Sequence, residues 1–439
     1  MSHFFYFLAK RCNAQVFFLT TLAPSKPHAV DKSVTVEIDA NAPNAAMLLR
    51  KFFKQESLMF KKCHHLASLI IGSGVFAFST HAAYADQVVK IGHVAPLTGA
   101  NAHLGKDTEN GARLAVEEIN RKGLVIEGQK ITLELDAQDD ASDPRQATQI
   151  AQKLVDDKVV AVVGHMNSGT SIPSSKIYSD AGIVQISPSA TNPMYTQQGF
   201  KTAYRVVATD AQQGPALANY AAQTLKAKSV AIVDDATAYG QGLANEFEKQ
   251  AKADGMTVLS HDATNDKAVD FRAILTKVKG EHPDVIMYGG MDATGGPFAK
   301  QAKQLAISAK VVAGDGLCAE SLADLAGSAA DNVVCSIAGM PLEKMAGGPE
   351  LEKRYEARFN QPIQLNAPFA YDAVYVIVDA MTRANSTAPE KILAEMPSTD
   401  YHGVLGETQF DTKGDLKHGV ISLYDYVDGK QKLLDVLKM

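Results

Sequence analysis

The sequence predicts an α/β protein built on mainly parallel sheets, and three observations support this prediction. The chain has 439 residues with 46% hydrophobic and 21% charged side chains, an ordinary globular composition that leaves room for two or three domains. From residue 88 onward, strand-like apolar runs alternate with segments whose apolar residues recur at helical spacing. Polar, glycine-containing turns follow the strand-like runs, as expected where crossover helices return the chain to a parallel sheet.

The first elements are predicted from apolar periodicity and from turn residues. A strand is predicted over 88–95, because this run ends at a Pro-Leu-Thr-Gly turn. The helix predicted over 107–120 places Ala112, Ala115, Val116 and Ile119 on one face. A strand over 131–136 is followed by a helix over 144–157, which begins with proline, and by buried strands over 159–163 and 183–186.

The same unit repeats farther along the chain, and the C-terminal end differs from it. Strands are predicted over 230–233, 284–288 and 310–313, and helices over 242–254, 271–279 and 298–305. Short antiparallel strands are predicted over 403–410 and 419–427, because turn residues bound both segments.

The first 85 residues are typical of processing sequence rather than of a folded domain. A basic stretch follows Met59, a 13-residue apolar run spans 66–78, and Ala83-Tyr84-Ala85 has the spacing of a signal-peptidase site. The apolar run is shorter than the roughly 20 residues of a permanent transmembrane helix. We therefore expect a signal peptide over 59–85 that is cleaved after Ala85. Residues 1–58 are an anomalous leader, and we expect translation to start at Met59, with a genuine long leader as the alternative.

Cleavage would leave two of the four cysteines, Cys318 and Cys335. An oxidising compartment favours one disulfide between them, and two buried free thiols are the alternative.

Composition and motifs argue against several classes of function. The formal charge is −6 and no long basic stripe is present, so we expect no nucleic-acid partner. The sequence contains no dinucleotide-binding glycine motif, no H-E-x-x-H, no C-x-x-C and no nucleophile elbow, and residues 99–106 depart from P-loop spacing. His93, His103 and His165 lack the spacing of metal ligands, so we expect neither a metal nor a cofactor.

Polar side chains follow the predicted strands at the edge where ligands of parallel sheets bind. Hydroxyl groups and the N–H groups of helix starts suit a carboxylate, an isolated acid suits an ammonium, and two larger side chains could wall an apolar group. The candidates are Ser168, Ser189, Thr191, Asp315, Tyr239 and Met291. Together they suit a zwitterion, whereas ordinary helix caps and turn residues are the alternative interpretation.

Short motifs in this order resemble the leucine/isoleucine/valine-binding proteins of bacterial ABC importers, and the resemblance covers nearly all of residues 86–439. The motifs are Asp139-Asp140-Ala141-Ser142-Asp143-Pro144, Gly164-His165, Ser187-Pro188-Ser189-Ala190-Thr191, Asp210-Ala211-Gln212-Gln213-Gly214-Pro215, Tyr239-Gly240-Gln241-Gly242, Tyr288-Gly289-Gly290 and Lys413-Gly414-Asp415-Leu416-Lys417.

The resemblance implies a type I periplasmic binding protein with two similar doubly wound lobes, three crossovers at the hinge and ligand in the cleft. It implies lobe 1 over 86–209 plus 339–416 and lobe 2 over 210–338 plus 417–439. The receptor would be a periplasmic monomer that hands an aliphatic L-amino acid to an ABC permease and performs no chemistry. The ligand contacts implied are Ser168, Ser189, Ala190 and Thr191 from the first lobe, Tyr239 and Asp315 from the second, and the side-chain wall Met291, Leu104 and Phe369.

Two departures from the family pattern affect these expectations. Ser142 and Asn167 stand where some relatives have a first-lobe disulfide. A shorter acid at Asp315 and the non-aromatic Leu104 and Met291 leave the choice of amino acid open. The alternatives are a receptor for an amide, urea or an aromatic acid, a sensory protein, and an enzyme using Cys318 or an Asp292–Asp315 pair.

Overall fold

The computed structural model of the protein describes residues 86–439. The predictions of a start at Met59, a signal peptide over 59–85 and cleavage after Ala85 lie outside the described residues. Within 86–439, no helix is both long enough and apolar enough to cross a membrane.

The chain first builds a six-stranded sheet with helices between the strands. In chain order the elements are β1 (Gln87–Ala95), α1 (Ala102–Lys122), β2 (Leu124–Ile126), β3 (Gln129–Asp139), α2 (Pro144–Asp156), β4 (Ala161–Gly164), α3 (Ser168–Asp180), β5 (Val184–Ser187), α4 (Met194–Gln197) and β6 (Ala203–Arg205). The strand order is β2-β3-β1-β4-β5-β6, and every pair is parallel except β2 with β3. All four residues of β4 are buried, as expected for a central strand covered on both faces.

A second series of strands and helices follows after the first sheet ends. Its elements are α5 (Asp210–Asn219), β7 (Ser229–Asp234), α6 (Ala238–Ala253), β8 (Thr257–Ala263), α7 (Arg272–Glu281), β9 (Val285–Gly289), α8 (Asp292–Gln304), β10 (Lys310–Ala313), α9 (Leu322–Ala326) and β11 (Val333–Ile337).

The chain then returns to the first sheet before it completes the second. The returning elements are α10 (Gly348–Phe359), α11 (Ala367–Ala384), α12 (Pro389–Glu395), β12 (Tyr401–Gly403) and β13 (Gly406–Thr408), and α11 packs against α1. The last strands, β14 (Val420–Val427) and β15 (Lys430–Lys438), join the second sheet, whose order is β15-β14-β11-β10-β9-β7-β8. The strands β8, β7, β9, β10 and β11 are parallel to one another. Strand β14 pairs antiparallel with both of its neighbours, β11 and β15.

The three connections between the sheets lie side by side. The N–H of Arg205 donates to the carbonyl of Gly414 at 3.0 Å, and the N–H of Ala208 donates to the carbonyl of Ala338 at 3.1 Å. The two sheets with their helices are therefore two lobes joined by three adjacent connecting segments. The predicted fold class is confirmed.

Most predicted elements are confirmed with small shifts of their bounds, and a few are wrong. The strand predicted over 310–313 corresponds to β10, whereas the helices predicted to start at 107 and 298 begin at Ala102 and Asp292. The single strand predicted over 403–410 is wrong, because β12 and β13 form a hairpin that turns at Val404 and Leu405. Strands β2, β6, β8, β11 and β15 were not predicted, since each lies outside the apolar runs that the periodicity identified.

The predicted disulfide between Cys318 and Cys335 is confirmed. The bond links the segment after β10 to β11, and both cysteines are buried in the apolar core of the second lobe. Free thiols at these positions are therefore excluded, and with them a nucleophilic role for Cys318.

Candidate ligand-binding site

A cavity lies between the two lobes. Its walls come from segments that follow strands of both sheets, which is where α/β proteins bind ligands. The lining residues are Leu104, Met166, Asn167, Ser168, Ser189, Tyr239, Met291, Asp315, Gly316, Leu365 and Asn366.

The first-lobe side of the cavity is rich in hydrogen-bonding groups. Ser168 begins helix α3, and the helix N-terminus carries partial positive charge. The Ser168 hydroxyl accepts from the N–H of Asn192 at 3.3 Å, and the Ser189 hydroxyl donates to the carbonyl of Met166 at 2.7 Å. These bonds hold the segments after β4 and β5 together, so that two hydroxyl groups and a helix N-terminus share one wall.

A buried arginine fixes the loop that carries Ser189. The Arg205 guanidinium donates to the carbonyls of Ala190 and Asn192, the latter at 3.0 Å, and its Nε donates to Asp415 Oδ1 at 2.6 Å. Arg205 is completely buried, so this ion pair lies where water screens it weakly. The loop geometry therefore depends on Asp415, which belongs to the third connection between the lobes.

The second-lobe side presents a carboxylate. Asp315 Oδ1 accepts from Gln213 Nε2 at 2.6 Å and from the Tyr239 hydroxyl at 3.2 Å. The Tyr239 oxygen in turn accepts from the N–H of Gly316 at 2.8 Å. The Ser336 hydroxyl donates to Gln213 Oε1 at 2.8 Å and so orients the amide. Both bonds to Asp315 use Oδ1, and neither uses Oδ2.

Burial changes the pKa values of three groups on this side, Asp315, Asp210 and Tyr239. Withdrawal from water raises the pKa of Asp315 to about 6, against the hydrogen bonds from Gln213 and Tyr239. Burial, followed by the charge of Asp315, raises the pKa of the completely buried Asp210 to about 8. Burial also raises the pKa of Tyr239 well above its usual value, so its hydroxyl remains a neutral donor. At neutral pH the site therefore presents one negative charge, on Asp315.

Part of the cavity lining is apolar. Leu104, Met166 and Leu365 are buried and belong to one cluster, against which Met291 packs. A surface of this kind suits an aliphatic group more than a polar one.

The structure brings together six of the nine predicted ligand contacts at the cavity: Leu104, Ser168, Ser189, Tyr239, Met291 and Asp315. Ala190, Thr191 and Phe369 lie outside its lining. Ala190 donates its N–H to Ser187 Oγ at 2.9 Å, and the Thr191 carbonyl accepts from the N–H of Asp210 at 2.9 Å. Phe369 is buried on α11, where it packs against Gly339.

Sequence reasoning missed five lining residues and two supporting ones. Met166, Asn167 and Gly316 lie beside predicted contacts, and extending those segments by one or two positions would have included them. Leu365 and Asn366 come from the segment directly before α11, and no local pattern marks them. Their segment is held by Asp107 of α1, which accepts four backbone N–H groups between Gln364 and Ala367. Arg205 and Gln213 also escaped notice, because their partners are far apart in the chain.

Comparisons with known proteins concern the family and the fold of the chain. The family model described as periplasmic binding protein matches residues 88–429. The chain is 34% identical over 358 residues to Leu/Ile/Val-binding protein homolog 1 of Brucella abortus, covering 81% of this chain and 94% of that protein. A crystal structure of a leucine-binding protein from Thermotoga maritima has a TM-score of 0.74 at 27% identity, covering 80% of this chain and 98% of that one. The substrate-binding protein of a branched-chain amino acid transporter from Streptococcus pneumoniae, solved with isoleucine, has a TM-score of 0.72 at 29% identity, covering 80% and 100%.

Proposed function

The chain belongs to the periplasmic binding protein family, and on that premise we propose that it is the receptor of an ABC importer for an aliphatic, branched-chain L-amino acid. It binds its ligand in the cleft between the lobes and delivers it to a membrane permease. It is a receptor and not an enzyme.

One observation carries the choice of ligand. The cavity has hydroxyl groups and a helix N-terminus on one side, the Asp315 carboxylate on the other, and an apolar wall of leucine and methionine side chains. A zwitterion with an aliphatic side chain satisfies all three features, whereas a neutral amide leaves the carboxylate without an ionic partner. A buried, unpaired charge of this kind is unfavourable.

The roles of the individual residues follow from their sides of the cavity. Ser168 and Ser189 bind the ligand carboxylate, with Ala190 and Thr191 shaping the loop behind them. Asp315 and Tyr239 receive the ammonium. Leu104 and Met291 contact the aliphatic group, and Phe369 supports this wall from α11.

The same proposal includes the organisation of the chain. Lobe 1 comprises 86–209 plus 339–416, and lobe 2 comprises 210–338 plus 417–439, in agreement with the strands of the two sheets. The signal peptide over 59–85 directs export to the periplasm, where the protein acts as a monomer without a nucleic-acid partner.

A ligand panel tests the proposal. The full chain is expressed, and the purified product is stripped of ligand by unfolding and refolding. Dye-based thermal shifts are then measured with the common L-amino acids, urea, small amides and benzoate. A ligand at 100 times its dissociation constant stabilises a protein by about 2.7 kcal/mol, which raises the melting temperature visibly.

We expect shifts with leucine, isoleucine or valine. L-Leucinamide, which lacks the carboxylate, and N-acetyl-L-leucine, which lacks the ammonium, should shift the melting temperature far less. A shift only with urea, an amide or benzoate would contradict the proposed ligand and would assign the receptor to another solute.

A further inference from the structure

A histidine and an aspartate from opposite lobes meet beside the cavity. His103 lies in the first turn of α1, and Asp292 is the first residue of α8. The distance from His103 Nε2 to Asp292 Oδ2 is 2.8 Å. Ser321, also from the second lobe, donates its hydroxyl to the same carboxylate oxygen and lies 3.3 Å from His103 Nε2. Three side chains thus join the lobes at one point.

This contact is adjacent to the apolar wall on both sides. Leu104 follows His103 and Met291 precedes Asp292, and both residues line the cavity. They also belong to or pack against the same apolar cluster. A bond between His103 and Asp292 therefore holds the two halves of the wall against each other, although neither side chain lines the cavity itself.

The pair is sheltered, and its surroundings favour a charged imidazole. Asp292 is completely buried, and the His103 side chain is 31% exposed. The hydrogen bond to Asp292 raises the pKa of His103, and the charge of Asp107 on the same helix adds to this, against partial burial. In the segment 318–321, which carries Ser321, the one charged side chain is that of Glu320. The 364–367 segment, which packs beside α1, contains only uncharged side chains.

We propose that His103 and Asp292 are positioning residues that latch the closed cleft and slow the release of ligand. This role rests on the proposed function, since it presupposes a ligand between the lobes. The latch is strongest with the imidazole protonated, so it acts at low pH and weakens as the pH rises through the pKa that His103 has in the closed protein. Ligand leaves only after the lobes separate, and separation breaks this bond.

The test measures release of radiolabelled L-leucine, chased with unlabelled L-leucine, between pH 5.5 and pH 8.5. We compare the wild-type protein with His103→Gln, which keeps a hydrogen-bonding group and removes the charge. At pH 6 the variant should release leucine about fivefold faster, since a partly exposed ion pair contributes on the order of 1 kcal/mol. The difference should shrink as the pH rises. Equal release rates at pH 6 would overturn the latch.

His402 provides a matched control. It lies 3.5 Å from Asp400 within one lobe, away from the cleft, so His402→Gln should release leucine at the wild-type rate. Because Asp315 also titrates, only the difference between wild type and His103→Gln at each pH is attributed to the latch.

Failure of the proposed function can be distinguished from failure of the latch. Wild-type protein that binds no leucine would contradict the function, and proton NMR of the protein closed on whichever solute of the ligand panel it binds would then decide the latch. The His103 signal, assigned by its loss from His103→Gln, should titrate above the usual histidine range and return toward it in Asp292→Asn. A titration in the usual range in both proteins would overturn the latch.

Discussion

Replacement of Asp315 by asparagine tests the ammonium site with little change of shape. The asparagine oxygen can still accept from Gln213 Nε2 and the Tyr239 hydroxyl, which bond to Asp315 Oδ1 at 2.6 and 3.2 Å. The variant therefore removes the negative charge and leaves the local hydrogen bonds in place. Any loss of affinity reports the interaction between the carboxylate and the ligand.

The expected loss can be estimated from the hydrogen bonds involved. A hydrogen bond to a charged group contributes about 1.5–3 kcal/mol, and a bond between neutral groups contributes about 0.5–1.5 kcal/mol. Asparagine leaves a neutral acceptor, so leucine should bind about tenfold more weakly, which corresponds to about 1.4 kcal/mol. Asp315→Ala removes the acceptor as well and should weaken binding further.

Isothermal titration calorimetry at pH 7.5 measures this effect. L-Leucine is compared with isocaproate, the analogue of leucine that lacks the ammonium. Wild-type protein should prefer leucine strongly, and Asp315→Asn should lose most of that preference. Asp324→Asn is the control, because Asp324 is an exposed acid on α9 of the same lobe.

Wild-type affinity for leucine in Asp315→Asn would refute the assignment of Asp315 to the ammonium. A misfolded variant is recognised separately by its melting temperature without ligand. We expect that temperature to be at least as high as in wild type, since a partly buried charge has been removed.

Three further predictions concern pH, the buried arginine and the disulfide. Leucine affinity should be full above pH 6 and should fall as the pH drops through about 6, because Asp315 becomes protonated there and no longer attracts the ammonium. A flat calorimetric profile from pH 7.5 to pH 5 would contradict this. Arg205→Met should lower the free energy of unfolding by about 3 kcal/mol, because Asp415 and two loop carbonyls lose their hydrogen-bond partner. An unchanged midpoint of urea unfolding would refute this role of Arg205. Replacement of both Cys318 and Cys335 by serine should cost about 3 kcal/mol, since the bridge spans 17 residues, and urea unfolding under oxidising conditions measures the loss.

Local sequence patterns predicted the elements whose signal is continuous. Strands such as β10, with its apolar run between polar turns, appear where periodicity places them. Helix α1 begins at Ala102, earlier than the sequence predicts. Its first turn contains Gly105, whose low helix propensity hides this turn from a sequence-based prediction. The same glycine lets the helix approach Pro96. A Cβ atom on that glycine would lie 1.9 Å from the Pro96 carbonyl oxygen. The close packing of this first turn against the residue that follows β1 is visible only in the structure.

The ligand site divides in the same way. Ser168, Ser189 and Asp315 were predicted because each follows a strand of a parallel sheet, where the end of one element is visible in the sequence. Leu365 and Asn366 were not, because Asp107 brings them to the cavity from more than 250 positions away in the chain.

The sequence by itself predicted an α/β receptor with polar strand ends and motifs typical of its family, and it favoured one disulfide over two free thiols. Only the tertiary structure decided which side chains share the cavity, how Arg205 and Asp415 support its loop, and that His103 meets Asp292. Periodicity and turn chemistry act over a few residues, so a single sequence records them directly. Contacts between lobes depend on the path of the whole chain, and each partner alone is an ordinary polar residue with no local sign of the other.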